Sequence, residues 1–169
     1  MLHRLSLTFG TRDLLAKIIA RNPQRQLILM ENAGDDEGLQ LLDVTDEPTI
    51  FTGGLDYRVQ LHQGSRDWLG FFSFAYFTFD HDTATVFDAK MNQLASNVLP
   101  AGMTAMYVLT KEHNVGEYVL LTQWVDSEAF SLWRHSASFV PIDQYATSAN
   151  HFHTANYHQV KPDAPDITA

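Results

Sequence analysis

The chain has 169 residues, enough for one ordinary domain or two small ones, and its 45% apolar and 18% charged residues are the balance of a folded globular protein. Eleven Lys and Arg against twenty Asp and Glu leave a net charge of −9, which argues against a nucleic-acid binder. The absence of cysteine excludes disulfides, thiol catalysis, iron–sulfur clusters and Cys-bound zinc. No apolar run approaches the ~18 residues that span a bilayer, and the first residues do not read as a secretory leader. The expected location is the cytoplasm, with no membrane partner. The charge is uneven: residues 1–30 carry Arg4, Arg12, Lys17, Arg21 and Arg25 against Asp13. That excess reads either as a solvated face offsetting an acidic neighbour or as a docking face.

In chain order, residues 2–9 read as a short strand. Thr11 is placed to cap a helix whose Leu14, Leu15, Ile18 and Ile19 share a stripe, and Asn22-Pro23 stops it. Residues 25–32 and 39–45 read as a hairpin around Gly34-Asp35-Asp36-Glu37-Gly38, broken by Asp46-Glu47-Pro48. Two extended pieces follow, 49–52 and 57–62. In the second, Tyr57, Val59 and Leu61 alternate with Arg58, Gln60 and His62. Gly64-Ser65-Arg66-Asp67 marks a predicted boundary between an α+β half, 1–66, and a second domain, 67–169.

Residues 69–79 are apolar on both strand faces. Phe71, Ala75, Phe77 and Phe79 lie on one, and Phe72, Phe74 and Tyr76 on the other, so both need cover. Asp82 or Thr83 is predicted to cap a helix carrying Phe87, Met91, Leu94 and Val98, ended by Pro100-Ala101-Gly102. Residues 103–110 and 117–125 form a predicted hairpin. Asp126-Ser127 then caps a helix with Ala129, Phe130 and Trp133, whose extension Pro141 limits, and 151–160 read as the last strand. A Pro- and Asp-rich tail from Lys161 is expected to fray.

The order from Leu69 is β-α-β-β-α-β, the split βαβ of a ferredoxin-like α+β domain. The first half opens as strand, helix, strand, strand, and strand-then-helix recurs at an offset of about 70, a weak sign of a pseudo-repeat. The expected architecture is a ferredoxin-like α+β domain. Its open sheet face is covered by the βαββ-containing N-terminal half, which leaves the protein a monomer or a homodimer.

From Glu117 the sequence runs Glu-Tyr-Val-Leu-Leu-Thr-Gln-Trp-Val-Asp-Ser-Glu-Ala-Phe-Ser-Leu-Trp-Arg-His-Ser-Ala-Ser-Phe. This resembles the signature strand and helix of the antibiotic-biosynthesis monooxygenase (ABM) superfamily. With the opening Leu-Thr-Phe-Gly-Thr, the whole chain is similar to its two-part TRAP-like and HmoB-like members, which implies a ferredoxin-like domain of the dimeric α/β-barrel type. The resemblance implies a small aromatic or planar ligand in an aromatic-lined pocket and a monooxygenase, either cofactor-independent or haem-related. Its alternative is a non-catalytic signalling or stress-response interaction protein of the TRAP-like type. In haem-degrading relatives a helical Trp presses on the haem, a His ten residues later ligates iron, and an Asn on the first strand orients oxygen. Here Trp133 matches the first, Asp143 stands at the second and Ala75 at the third. Haem ligation by the usual route is therefore not expected, and no cofactor is assigned.

The pocket candidates are Trp133, Phe130, Phe77, Tyr76, Tyr145 and Asp143. No catalytic residue stands out. Trp133 reads as core or as pocket wall. Tyr145 is two residues past the lost His, and a tyrosinate can ligate haem iron. His151-x-His153 would share a strand face, but His158 has the opposite parity, so no metal site is expected. No phosphate loop, nucleophile elbow or dinucleotide fingerprint occurs.

Overall fold

Alternation along the strands divides the apolar side chains between two environments, and the sheet closes around one of them. The computed structural model describes residues 1–34 and 38–160, so Asp35, Asp36 and Glu37 of the expected turn and the tail from Lys161 lie outside the described residues. The elements are β1 (Arg4–Gly10), α1 (Arg12–Arg21), β2 (Leu27–Asn32), β3 (Leu39–Asp43) and β4 (Leu55–Gly64), then β5 (Phe71–Thr78), α2 (His81–Ala95), β6 (Met103–Lys111), β7 (Glu117–Trp124), α3 (Ser127–Arg134), α4 (Val140–Asp143) and β8 (His153–Gln159). All strand pairs are antiparallel, in the closed order β1-β3-β2-β8-β5-β7-β6-β4.

The stretch β8-β5-β7-β6 has the ferredoxin-like order expected from residue 69 onward. The stretch β4-β1-β3-β2 repeats that order without a second helix, so the suspected repeat is present as topology. The last strand of each half pairs with the second strand of the other: β4 with β6, and β8 with β2. The N-terminal half thus covers the open sheet face within one chain, and it does so by completing a barrel.

Inward residues Leu5, Leu7, Met30, Leu42, Phe72, Phe74, Tyr107 and Leu121 form the barrel core. Outward residues Phe71, Phe77 and Phe79 pack with Phe87 and Met91 of α2 and Trp133 of α3. This is the two-faced division read from residues 69–79. On the N-terminal side Leu15 of α1 packs with Leu41 and Phe51. The piece 49–52 is not a strand; it turns Phe51 under α1. Leu14 and Val98 are exposed rather than buried: the first lies off the stripe and the second lies beyond the end of α2.

Side chains set the helix starts. Thr11 caps α1, accepting from the Leu14 amide at 3.3 Å. Asp80, not Asp82 or Thr83, caps α2, accepting from the Thr83 amide at 2.7 Å. Asp126 caps α3 through the Ala129 amide at 2.8 Å. Pro141 sits in the first turn of α4 instead of blocking a helix, where its missing N–H is harmless. Arg25 pairs with Asp43 at 3.0 Å and Arg4 with Glu112 at 3.8 Å, so acidic neighbours offset part of that charge. Among the described residues no helix is long and apolar enough to cross a membrane.

One barrel end is stoppered. Trp68, in the β4–β5 connection, is buried and stacks on Tyr107 with ring centroids 5.0 Å apart. It holds φ +52°, a costly value for a bulky residue that its burial offsets. Gly64 and Gly70 flank it with φ +97° and +96°, and a Cβ at either would lie 2.3 or 2.4 Å from a backbone oxygen. His62 stacks on Tyr107 at 4.2 Å, with Nε2 3.0 Å from the Ser65 carbonyl oxygen.

Two predictions follow from this construction. The β4–β6 seam runs over seven residue pairs and the β2–β8 seam over three, so opening should begin at the shorter one. Backbone amides along β2–β8 are expected to exchange faster with deuterium than those along β4–β6; equal protection would mean that the barrel opens as one unit. Burial holds the His62 pKa below its ordinary 6.5, so the unfolded chain binds that proton first. Stability is then complete above about pH 6.5 and falls as the pH drops from there toward the folded value. Urea unfolding at pH 7 and pH 5.5 should show that loss, and His62→Gln should reduce its slope.

Candidate functional site

The helix-covered face of the C-terminal sheet carries most of the predicted site residues. β7 ends on Trp124, Asp126 starts α3, and one helical turn separates Phe130 from Trp133, so both rings return to the sheet. Trp133 lies 5.1 Å from Trp124 and 4.9 Å from Phe139, and Phe130 lies 5.4 Å from Phe71, centroid to centroid. Between Phe130, Trp133, Phe139 and Phe152 and the sheet residues Ser73, Ala75 and Thr122, a hollow of only about 10 Å³ remains. That is the room of one water at most.

The other side of Trp133 is open. The end of α2, the segment after it, and α4 leave a cleft of about 230 Å³, walled by Leu94, Leu99, Met103, Met106, Trp133 and Ile142. Trp124 donates its indole N–H to the Thr122 hydroxyl at 2.8 Å. The Trp133 Nε1 is buried and has no partner. Gln63, reaching in from β4, also lines the cleft. It donates to the Asn97 carbonyl at 2.6 Å, while its Oε1 is unpartnered. An unpaired buried donor costs about 1–3 kcal/mol.

The six predicted residues do not form one pocket. Trp133 and Phe130 stand together. Phe77 and Tyr145 pack with Phe87, at 5.5 and 5.2 Å, nearer the start of α2. Tyr76 points into the barrel. Asp143 is exposed at the end of α4. The sequence reading missed Gln63 and the Met103–Met106 wall. A glutamine ending a strand of the other half carries no local signal of what it meets. His151 takes a left-handed turn before β8, so it does not share a strand face with His153; His153 stacks on Tyr76 at 4.6 Å. Among the described residues no group of three or more His, Asp or Glu could hold a metal ion.

Residues 70–143 match the family model for antibiotic biosynthesis monooxygenases. The chain carries an ABM domain. Solved structures similar over the whole chain include an uncharacterised ferredoxin-fold protein related to these monooxygenases, from Listeria monocytogenes (TM-score 0.79, 20% identity, covering 96% of this chain and 97% of that one). A staphylococcal protein described as a major regulator of pathogenesis matches with a TM-score of 0.76 at 19% identity, over 94% and 99% of the two chains. LmHde, a haem-degrading enzyme from Listeria monocytogenes, matches with a TM-score of 0.74 at 22% identity, over 92% and 98%. At these identities the likeness is one of fold.

Against that background the ABM domain does not fit a haem under α3. The sheet-facing hollow is too small for a macrocycle, the residue ten after Trp133 is an exposed carboxylate, and the strand position expected for an Asn is Ala75. Removing the orphan N–H tests the Trp133 environment. Trp133→Phe keeps the ring and discards the unpaired donor, so it should cost less than about 1 kcal/mol, because the lost packing and the relieved desolvation oppose each other. Trp133→Ala should cost about 3–5 kcal/mol. Urea denaturation of both variants checks the contrast.

Proposed function

We propose that this protein is a small-ligand binder built on the ABM fold, holding an apolar molecule with one hydrogen-bond acceptor in the cleft beside Trp133. The observation that carries the reading is that cleft itself, whose apolar walls from Leu94, Leu99, Met103, Met106, Trp133 and Ile142 are interrupted by the polar side chains of Gln63, Asn97 and Ser138. A donor on that lining, the Ser138 hydroxyl or the Asn97 amide, would meet the acceptor while Leu94, Leu99 and Met106 take the apolar remainder. The polar side chains lining the cleft are Gln63, Asn97 and Ser138, none of which titrates near neutral pH. Oxygenation without a cofactor needs a base to generate an electron-rich substrate, so the cleft is read as binding and not as converting its ligand. Residues 67–169 supply the site, residues 1–66 close the barrel and lend Gln63, and the protein acts as a monomer. A signalling role of the TRAP-like type is compatible with this reading, a ligand-gated one included.

Two measurements test it. Haem titrated into the protein is expected to give no His-type Soret band, and Asp143→His should not create one, because residue 143 faces solvent. A tight His-type spectrum in the unmodified protein would overturn the haem-free reading. A neutral fragment panel followed by NMR should shift the Trp133 indole N–H among the three tryptophan signals, and Leu99→Trp, which fills the cleft, should abolish the shift. If no fragment moves that signal, the cleft is not a ligand site.

A further inference from the structure

The barrel has unlike ends. Trp68 closes one; at the other, residues of β1 and β4 to β8 bound a cavity of about 330 Å³, within the range of small-molecule sites. It lies on the opposite face of the sheet from Trp133. Tyr57 of β4 and Tyr157 of β8 are 3% and 5% exposed and line it together with Tyr76 of β5. None of the three phenol hydroxyls has a hydrogen-bond partner among the described residues. The three oxygens are not sealed from solvent, so the hydroxyls open onto the hollow and are free to donate to a molecule that enters it.

The charges select its chemistry. Burial and then the charge of Glu117 push the Tyr57 hydroxyl up to about 12. Burial also raises Tyr76, followed by the neighbouring Tyr57 and Tyr157. All three stay protonated near neutral pH and can donate. The field of Glu117 that opposes a phenolate at Tyr57 equally opposes a ligand anion there. Lys111 lies 3.4 Å from Glu117 and opposes a cation, leaving the collar of the cavity close to neutral. Phe9, Leu55, Val119 and Ala155 supply apolar wall, and His153 lies flat on Tyr76 with 7° between the rings.

We infer that the open barrel end is a second binding site, for a small uncharged apolar molecule whose carbonyl or hydroxyl oxygen accepts from Tyr57, Tyr76 and Tyr157. This site is independent of the cleft beside Trp133.

Three probes of one size and different charge decide the matter: acetophenone, benzoate and benzylamine, each titrated into the full chain and followed by two-dimensional NMR. Acetophenone is expected to move signals of β4, β5 and β8 at the open end, with benzoate and benzylamine at least about tenfold weaker. Tyr57→Phe and Tyr157→Phe keep the rings, and each should weaken acetophenone about fivefold or more. Ala155→Leu narrows the cavity and should weaken binding, whereas Trp133→Phe should leave it unchanged. The amide spectrum of each variant reports folding, and if Ala155→Leu fails to fold, the two Tyr→Phe variants decide. Absence of acetophenone binding, equal binding of the three probes, or affinity unaltered in both Tyr→Phe variants would overturn the assignment. Loss of acetophenone binding in Trp133→Phe would place it in the cleft and overturn it as well.

Discussion

Two backbone seams, β4 on β6 and β2 on β8, impose the division on which every site in this protein depends. An open four-stranded sheet with Phe72, Phe74 and Tyr76 on its bare face would present an apolar surface to water. It would also leave two edges with unpaired N–H and C=O groups. Pairing edge to edge within the chain removes both liabilities, since a closed barrel has no edges and its inner face is shielded by itself. The arrangement is near-symmetric, because the last strand of each half takes the second strand of the other. The symmetry is broken where the N-terminal half lacks a helix corresponding to α3. The covering on that side is correspondingly thin: α1 and the loop carrying Phe51 bury far less than the aromatic layer beneath α2 and α3.

Closure gives each sheet strand two different jobs. On β5 the outward rings of Phe71 and Phe77 belong to a layer so densely aromatic that little space survives under α3. The inward Phe74 and Tyr76 belong to a barrel whose interior is filled at one end and hollow at the other. Interior packing resembles a molecular crystal, so a void that persists beside unpaired polar atoms contrasts with its surroundings. The two hollows differ in form: an apolar cleft beside Trp133 interrupted by Gln63, Asn97 and Ser138, and a cavity with three phenols within a collar of paired charges.

Much of this could be read in the sequence, and what escaped has a common cause. The two-sided apolarity of residues 69–79 gave the strand, its burial and the division of its side chains, because a period of two needs no knowledge of neighbours. The Trp-Val-Asp-Ser stretch placed α3 correctly, since its cap and stripe are local. Beyond reach was anything set by the meeting of the halves. Gln63 reaches the cleft because β4 pairs with β6, and Tyr57 shares a cavity with Tyr157 because the barrel closes. Even Trp68 was passed over between the boundary predicted at 64–67 and the strand predicted from 69, where a left-handed backbone and two glycines turn it into the barrel's stopper. The helix-side candidates failed to converge for a simpler reason. Tyr76 and Phe77 are adjacent in sequence, so a strand must send them to opposite faces.

The unlike barrel ends carry one further step. Filling an end requires a bulky ring that can reach the axis, and Trp68 does this from a connection whose backbone only glycines at 64 and 70 permit. At the opposite end the corresponding inward positions are Lys111, Glu117 and His153, whose polar heads are better held at a wet rim than on the axis. Their tips collect at the mouth, and the space behind them is left to Tyr57 and Tyr157. A side chain long enough to fill that space would have to bury its polar tip or push the tyrosines aside. The hollow is therefore a consequence of placing charged and aromatic residues in one ring of inward positions. Its neutrality rests on the Lys111–Glu117 pair remaining together across the β6–β7 turn.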